Sequence, residues 1–460
     1  MAPDDTLRLA GDEMKVPLVG GGTATAINFD FAASSPALAT VEREVEAFLP
    51  WYSSVHRGAG YKSMVSTVAY EQAREDVATF AGARDDDVVV FTRNTTDALN
   101  VLAAALPDDC RVVTFDSEHH ADLLPWRRWP TQHLATPDDP SQLAAVLDDT
   151  LTALGSGASG GAPVLFAVTA VSNVTGECWP VAELTAVAHR HGARVVVDAA
   201  QLAPHGPITL SEWDVDWTVL SGHKMYAPYG AGALVGRRDW LEERPPFLAG
   251  GGAVAFVTHD EVLWVDAPER QEAGSPNVVG AVALGAACRV LSAHGMERVL
   301  AHERHLDGLM RRGLDTVEGL TRHHLWGDDH PRIAVATFTL EGYHHSLLAS
   351  ILSAEYGIAV RDGCFCAHPL MVHLMDTSAD EVERLRDEVA AGSHAKVPGA
   401  TRASAGLTTT DEDVERLVEA LGRIAAEGPQ WTYDQDPVTG QWSPAPDDRP
   451  LPDLGCMPPG

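Results

Sequence analysis

The chain has 460 residues, of which 45% are hydrophobic and 21% are charged, and this ordinary globular composition excludes wholesale disorder. Its 65 acidic residues outnumber the 33 basic ones, and the net charge of −32 argues against binding a nucleic-acid backbone or an anionic membrane surface. There is no run of 18 apolar residues, no basic and apolar leader, and only six cysteines. We therefore expect a cytoplasmic protein without a membrane span.

The first part of the chain alternates short apolar runs with helical patterns. Residues 1–27 are acidic and then Gly-rich, which predicts an N-terminal arm. Continuous apolar runs separated by helices are typical of strands buried on both faces of a sheet. The sequence therefore predicts an α/β domain with a mainly parallel sheet over residues 28–285. The predicted strands lie within residues 86–91, 111–115, 163–171, 193–200, 217–222 and 230–236.

A smaller α/β domain is predicted over residues 286–428. It contains a strand-like run at 332–340 and a final amphipathic helix at 411–428. Residues 429–460 are rich in Pro, Gly and Asp without periodicity, which predicts an irregular tail. In the larger domain, residues 155–160 match GxGxxG. A helix precedes them and a strand follows, the reverse of the order that dinucleotide binding requires, so we interpret them as a connector.

The candidate site lies where two apolar strands end. Asp198 ends one strand, Gln201 follows it, and the next strand ends in Ser221-Gly-His223-Lys224. Ligands of α/β sheets bind beyond the carboxyl ends of the strands, so these side chains are expected to converge. A lysine amine suits an imine with an aldehyde, and a carboxylate suits a pyridinium nitrogen. Taken alone, Asp198 is also consistent with a helix N-cap, and Lys224 with a surface cation. The rarity of lysine, four of the 33 basic residues, argues against a surface cation at Lys224.

Residues 198–201 (DAAQ) and 221–224 (SGHK) resemble the pyridoxal 5'-phosphate (PLP) site of class V aminotransferases, in their cysteine desulfurase and selenocysteine lyase branch. The resemblance covers about residues 28–425 and implies PLP fold type I, a large domain with a mainly parallel seven-stranded-type sheet between helices plus a smaller C-terminal α/β domain. The other matching segments are HRG (56–58), YEQAR (70–74), RNTTDALN (93–100), SEHHADLLPW (117–126), SNVTGE (172–177), APERQEAGSPN (267–277) and RASAGLTTTDEDVERLVEAL (402–421).

The resemblance implies a role for each residue of a PLP site. Lys224 is implied to form the Schiff base with the cofactor, Asp198 to pair with the pyridinium nitrogen, and His119 to stack on the ring. Backbone N–H groups at a helix N-terminus suit a phosphate. The remaining implied contacts are Gln201 and Asn173 with the phenolate oxygen, and Thr95, Thr96, Ser221 and His223 with the phosphate.

Two further motifs are implied to complete the site. Ser275, in a GSPN turn, is implied to reach the phosphate in the neighbouring subunit, which predicts a homodimer. A plain Ser-Pro turn is the alternative. Arg402 is implied to bind the substrate carboxylate through its planar guanidinium, with Arg361 as a second candidate. An exposed ion pair is the alternative for each arginine.

The segment that begins at Arg361 distinguishes between the candidate reactions of a PLP-dependent enzyme. Cys366 stands where desulfurases carry the cysteine that attacks the substrate sulfur, and Cys364 either resolves a persulfide or simply packs. Cys364, Cys366 and His368 lack a second ligand pair at zinc spacing, so no metal is expected. Asp362 stands where the family usually has threonine, and its carboxylate is expected to raise the pKa of the thiol. The stretch between Cys366 and Arg402 is longer than in compact family members.

Together these motifs predict a PLP-dependent enzyme that cleaves the C–S bond of L-cysteine or a related derivative. Alanine is released and a persulfide stays on Cys366, so a sulfur-acceptor protein is a candidate partner. A C–S β-lyase of a cysteine S-conjugate, giving pyruvate and ammonia, is the main alternative. Aminotransferase or epimerase chemistry does not need Cys366, and Lys224, Asp198 and His119 argue against a non-catalytic scaffold.

Overall fold

The computed structural model describes residues 7–155, 161–392 and 398–453. The strands are β1 (Lys15–Pro17), β2 (Thr23–Thr25), β3 (Ile27–Asn28), β4 (Val88–Thr92), β5 (Arg111–Phe115), β6 (Thr131–Leu134), β7 (Val164–Thr169), β8 (Arg194–Asp198), β9 (Trp217–Ser221), β10 (Gly232–Gly236), β11 (Val254–Val257), β12 (Val262–Trp264), β13 (Leu320–His323), β14 (Val335–Leu340), β15 (Ile358–Ala359), β16 (Arg361–Gly363), β17 (Ala400–Ser404), β18 (Tyr433–Gln435) and β19 (Trp442–Pro444). The α-helices are α1 (Ala39–Phe48), α2 (Tyr61–Ala81), α3 (Thr95–Ala105), α4 (Leu143–Leu154), α5 (Val181–Arg190), α6 (Asp239–Glu243), α7 (Val278–His294), α8 (Met296–Leu314), α9 (His345–Tyr356), α10 (His368–Leu374), α11 (Ala379–Ala390) and α12 (Asp411–Glu427). None of these helices alone is long and apolar enough to cross a membrane; α7 and α8 meet that test only as a pair, which is bent by 78°.

The chain divides into two compact units whose boundaries differ from the predicted domain boundaries. The first unit is formed by Met1–Ala10, Ala32–Glu303 and Leu325–Ile333, and the second by Gly11–Phe31, Arg304–His324 and Ala334–Gly460. The expected arm, residues 1–27, is therefore divided between the two units. Its end belongs to the second unit, where β3 pairs in parallel with β15, a strand far along the chain. Local sequence patterns carry no information about such a distant pairing. Similarly, residue 285 lies within α7, which belongs wholly to the first unit.

A seven-stranded sheet forms the centre of the first unit. Its strand order is β4-β10-β9-β8-β7-β5-β6. The pairs β5–β6, β5–β7, β7–β8 and β8–β9 are parallel, whereas β10 is antiparallel to both of its neighbours. All residues of β7, β9 and β10 are buried, as their continuous apolar sequences predict. The expected α/β architecture is confirmed; only the edge strand β6, whose sequence TQHL is mostly polar, was not predicted.

The register of the central strands brings the ends of β7, β8 and β9 to one edge of the sheet. Asp198 lies opposite Thr169 on β7 and Val219 on β9. Just beyond β9, a Cβ on Gly222 would lie 2.7 Å from the carbonyl oxygen of Ala231. The tight turn that follows β9 therefore requires glycine at this position, and this turn leads directly into Lys224. Earlier in the chain, Gly155 ends α4 in a left-handed conformation, and residues 156–160 of the GxGxxG match lie outside the described residues.

The second unit is built on an antiparallel sheet with the order β13-β14-β17-β16. Apolar residues of α9 and α12 pack with this sheet in one core, which also contains Ile27 and Phe29. The predicted strand at 332–340 and the predicted helix at 411–428 are confirmed as β14 and α12. A capping box of Thr410 and Asp413 fixes the start of α12, since each side chain accepts a backbone N–H of the other residue.

The C-terminal segment differs from the expected irregular tail. Strands β18 and β19 form an antiparallel pair, in which Tyr433 lies opposite Pro444. Tyr433 is buried in the core of the second unit, and Trp431 and Trp442 pack against that core. Aromatic burial therefore orders this segment although its sequence has no periodic pattern. Within the stretch between Cys366 and Arg402, α11 contains no buried residue.

Candidate active site

Asp198 and Lys224 interact at the edge where β8 and β9 end. The Asp198 side chain is buried, and its Oδ1 accepts the N–H of Ala200 at 2.9 Å. Burial raises the pKa of the Asp198 carboxyl, and the Ala200 N–H and the Lys224 cation act in the opposite direction. A further cation beside Asp198, such as a pyridinium nitrogen, would therefore stabilise its ionised form.

Two serines hold the backbone of the turn that carries Lys224. Ser35 donates its N–H to the carbonyl oxygen of His223 and its hydroxyl to that of Lys224, both at 2.8 Å. The Ser34 hydroxyl donates to the His223 carbonyl oxygen at 3.2 Å. Sequence reasoning missed both serines, because nothing in residues 32–35 (AASS) marks them as partners of a turn almost 190 positions away.

Two buried hydroxyls of the first unit suit an added phosphate. Within the described residues, the side-chain oxygens of Thr95 and Ser221 have no hydrogen-bond partner. Leaving a buried polar group unpaired costs about 1–3 kcal/mol, so a phosphate that accepts from these hydroxyls would stabilise the site. Gln201 donates one amide hydrogen to the Ala32 carbonyl oxygen at 2.8 Å, and its second amide hydrogen suits a phenolate oxygen. These residues fit PLP.

The N-terminus of α3 adds a backbone site for an anion. Asn94 caps this helix by accepting the N–H of Asp97 at 3.0 Å, and Thr95 and Thr96 are its first residues. N–H groups in the first turn of a helix point toward a ligand and favour negative charge. Thr95 is buried and Thr96 is exposed, so the two predicted phosphate contacts have different surroundings.

His119 is held in a defined orientation after β5. Its Nδ1 accepts the N–H of Ala121 at 3.0 Å, so the proton of a neutral ring lies on Nε2. The ring is half-buried, and its centroid is 6.3 Å from that of His120. The preceding residue, Glu118, is fully buried, and sequence reasoning assigned it no role although it lies within the SEHHADLLPW motif.

The remaining predicted cofactor residues of the first unit lie in three turns. Asn173 is buried in the turn that follows β7. His223 is half-buried, and burial followed by the Lys224 cation lowers its pKa, which favours a neutral ring at neutral pH. Ser275 is exposed in the turn before α7. The structure thus groups Asp198, Ser221, His223 and Lys224 at neighbouring strand ends, and it leaves Ser275 on the surface of the chain.

In the second unit, Arg402 is a buried guanidinium bound to a carboxylate. Its side chain is 3% exposed, and Nη2 donates to Oδ1 of Asp30 at 3.3 Å. Arg361 lies opposite Arg402 on β16, is 54% exposed, and reaches Asp30 only at 4.0 Å. Burial lowers the pKa of Arg402 to about 10, while Asp30 acts in the opposite direction, so the guanidinium is charged at neutral pH. The sequence indicated both arginines but not Asp30.

Cys366 lies on an exposed turn next to Arg402. Phe365 and Cys366 both have left-handed backbone conformations, with φ of 52° and 55°. The Arg402 guanidinium lies 5.0 Å from the centroid of the Phe365 ring and interacts electrostatically with Cys366. Since Cys366 is exposed, its sulfur is accessible to a small molecule or to a partner.

Cys364 has a different environment from Cys366. Its thiol donates to the carbonyl oxygen of Pro398 at 2.9 Å. Burial, followed by the charge of Cys366, raises the pKa of Cys364 to about 11, so it remains a thiol at neutral pH. Asp362 does not cause this shift; its Oδ2 is 3.0 Å from Nδ1 of His345. The expected effect of Asp362 on the reactive thiol stays a prediction.

Comparison with known proteins identifies the family. Residues 27–417 match the family described as aminotransferase class-V. A cysteine desulfurase from Dickeya dadantii is 36% identical over 410 residues, covering 85% of this chain and 90% of that protein. The structure of the apo cysteine desulfurase from Thermococcus onnurineus has a TM-score of 0.75 at 29% identity, covering 87% of this chain and 95% of that one. A cysteine desulfurase from Escherichia coli in S-sulfonic acid form has a TM-score of 0.72 at 31% identity, covering 88% and 95%. The chain therefore belongs to the class V aminotransferase family, in its cysteine desulfurase branch.

Proposed function

We propose that this protein is a PLP-dependent cysteine desulfurase that transfers sulfur from L-cysteine to Cys366. The observation that carries the proposal is the position of an exposed cysteine, Cys366, beside a buried and charged guanidinium, Arg402. An amino-acid substrate has one carboxylate to bind and, in cysteine, one sulfur to attack. The cysteine desulfurases among the relatives of the chain support the same activity.

The residues of the first unit would hold the cofactor. Asp198 would pair with the pyridinium nitrogen, and His119 would stack on the ring. When bound, PLP supplies an aldehyde for Schiff-base formation and a ring that takes up an electron pair. The other contacts would be made by Gln201 and Asn173 at the phenolate oxygen, by Thr95, Thr96, Ser221 and His223 at the phosphate, and by Lys224 at the aldehyde.

The side chains of the protein perform the remaining steps. The Arg402 guanidinium binds the substrate carboxylate and fixes its orientation through two N–H groups, with Arg361 as a weaker contributor. The Lys224 Nζ accepts the α-proton of the substrate. The thiolate of Cys366 attacks the substrate sulfur, so an S–S bond forms on the enzyme as the C–S bond breaks. The overall change is L-cysteine plus the Cys366 thiol giving L-alanine plus the Cys366 persulfide.

Product analysis tests this function directly. The purified protein, supplied with PLP, is incubated with L-cysteine and a reducing thiol, and alanine, sulfide, pyruvate and ammonia are measured. We expect alanine and sulfide in equal amounts, and neither product above background with Cys366→Ala. Pyruvate and ammonia, at a rate unaffected by Cys366→Ala, would contradict the desulfurase and support a β-lyase.

We further propose that the active form is a homodimer and that a sulfur acceptor takes the product from Cys366. Ser275 is exposed within its own chain, which suits a contact to the phosphate bound by a second copy. The exposure of Cys366 suits transfer to an acceptor. Light scattering is expected to give the mass of a dimer, and Ser275→Ala is expected to weaken PLP retention. A monomer with full activity would contradict the first proposal.

A further inference from the structure

Glu118 and Asp122 are fully buried acidic residues to which the proposed reaction gives no role. They stand on either side of the turn that carries His119. Ionised carboxylates are rarely buried in full unless a cation or several hydrogen bonds compensate for the lost hydration. The charge of Glu118 and Asp122 therefore depends on the partners of their four carboxyl oxygens.

Two of these oxygens have partners with regular geometry. The N–H of Thr169 donates to Oε1 of Glu118 at 3.0 Å, and the indole N–H of Trp126 donates to Oδ1 of Asp122, also at 3.0 Å. Within the described residues, Oε2 of Glu118 and Oδ2 of Asp122 have no donor. A side-chain hydrogen bond between the two carboxyl groups nevertheless affects both of their pKa values, raising that of Glu118 and lowering that of Asp122. Two ionised carboxylates cannot bond, whereas one proton between them satisfies both oxygens.

We propose that Glu118 and Asp122 share one proton, which Glu118 donates to Asp122, and that this pair positions the His119 turn and limits the negative charge facing Asp198. The inference rests on the proposed function in so far as His119 and Asp198 contact the cofactor. Within the turn, the N–H groups of Ala121 and Asp122 donate to Nδ1 and to the carbonyl oxygen of His119. The carboxyl pair therefore joins the residue before His119 to the residue that ends its turn.

The charges around the pair favour a single proton. Burial raises the pKa of Glu118, followed by the charges of Asp122 and Asp198, and burial followed by Asp198 raises the pKa of Asp122. Asp198 on β8 interacts electrostatically with both groups, and Lys224 in turn interacts electrostatically with Asp198. With one shared proton, the pair repels Asp198 less than two carboxylates would. Asp198 can then stay ionised for a pyridinium nitrogen.

Glu177 provides a matched control, because it is an equally buried glutamate with different partners. It accepts the N–H of Leu325 at 2.9 Å and that of Trp326 at 2.7 Å, and it lies 3.5 Å from the guanidinium of Arg332. A cation and two donors suit an ionised carboxylate. Glu118 and Glu177 are therefore equally buried, but only Glu177 has a donor for each side-chain oxygen and a neighbouring cation in the described part of the chain.

Infrared spectroscopy of the full chain loaded with PLP, at about pH 8, tests the shared proton, because surface carboxylates are ionised there. We expect a carbonyl band of a protonated carboxylic acid that shifts in D₂O. The band should be absent from Glu118→Gln and present in Glu177→Gln. Persistence of the band in Glu118→Gln, or its absence from the unsubstituted protein, would overturn the proposal. Neither outcome depends on turnover, so failure here is distinct from failure of the desulfurase proposal.

The pH dependence of unfolding gives a second readout. Glutamine at position 118 offers an N–H to Asp122 and an oxygen to Thr169, as a protonated glutamate does, whereas leucine offers neither. A glutamate whose pKa is raised by folding binds a proton that the unfolded chain releases, so the native protein loses stability as pH rises above the ordinary glutamate value. We expect the free energy of unfolding of Glu118→Gln to increase relative to that of the unsubstituted protein as the pH rises from about 5 to about 8. At both pH values, Glu118→Leu should be less stable than Glu118→Gln. Equal losses for the glutamine and leucine variants, or a pH-independent difference, would overturn the proposal.

Discussion

The set of residues around Lys224 in the first unit and the turn of Cys366 in the second have opposite structural character. Asp198 and Ser221 are buried at the ends of β8 and β9, where the strand register fixes their positions, and Gln201 is buried just beyond β8. Cys366 lies on an exposed turn with a left-handed backbone.

This difference matches the two tasks of the proposed reaction. A cofactor needs complementary groups held in place and protected from water, which a buried sheet edge supplies. A sulfur carrier needs access to both substrate and acceptor, which an exposed turn supplies. Substitutions in the two units test this division of tasks, and the largest effect is expected at Lys224.

Replacing Lys224 should abolish the function of the first unit. Lys224→Ala removes the amine that binds the aldehyde and moves the α-proton, and we expect kcat/KM for alanine formation to fall at least about 10³-fold. Cys366 should still react with a thiol-specific alkylating reagent at the unsubstituted rate. Residual turnover close to that of the unsubstituted protein would contradict the assignment of Lys224.

Replacing the two cysteines should separate their roles. Cys366→Ala is expected to eliminate alanine formation and to leave PLP binding unchanged, because Cys366 has no assigned contact with the cofactor. Cys364→Ala is expected to keep most of the activity, since its thiol is held by Pro398 and its pKa of about 11 keeps it protonated. Steady-state kinetics of alanine formation, together with PLP titration, checks both variants. Equal losses of activity in Cys366→Ala and Cys364→Ala would show that the two cysteines act as a pair.

The two arginines should differ because one is buried and the other exposed. Arg402→Lys loses the planar pair of N–H groups, and a charge-assisted hydrogen bond is worth about 1.5–3 kcal/mol, so KM for L-cysteine should rise about tenfold to a hundredfold. Arg361→Lys keeps a charge at an exposed site, where a pair contributes about 0–1 kcal/mol, so KM should change less than about fivefold. The reverse order would make Arg361 the main carboxylate ligand.

The smallest expected effect concerns Asp30, whose carboxylate binds Arg402 in this structure. Asp30→Asn removes a negative charge that competes with the substrate carboxylate. Asparagine still offers an oxygen to the guanidinium, so only part of the contribution of a charge-assisted hydrogen bond, about 1.5–3 kcal/mol, is lost, and KM for L-cysteine should fall about two- to tenfold. Asp30→Glu is the control and should keep KM close to its original value. An increased KM in Asp30→Asn would mean that Asp30 orients Arg402 for the substrate.

The sequence predicted those parts of the molecule that depend on local patterns. The strands that end at Asp198 and Ser221 are continuous apolar runs, and Lys224 stood out because lysine is rare in the chain. Positions set by distant contacts were not predictable from such patterns. The pairing of β3 with β15, the burial of Tyr433 in the C-terminal segment, and the contact of Asp30 with Arg402 all join residues that are far apart in sequence.

The protonation of buried carboxyls was also beyond sequence reasoning. Residues 117–126 matched a family motif, and that match indicated His119 without a role for Glu118 or Asp122. Their role depends on which oxygens receive a donor from Thr169 and Trp126. Those contacts exist only in the folded chain.

The transfer of sulfur to Cys366 is the central claim, and mass spectrometry of the protein after a single turnover tests it most directly. The protein loaded with PLP is mixed with a limiting amount of L-cysteine without reductant, alkylated, and digested. We predict that the peptide containing Cys366 gains one sulfur atom, with one alanine released for each sulfur gained. An unmodified Cys366 accompanied by pyruvate would contradict the account.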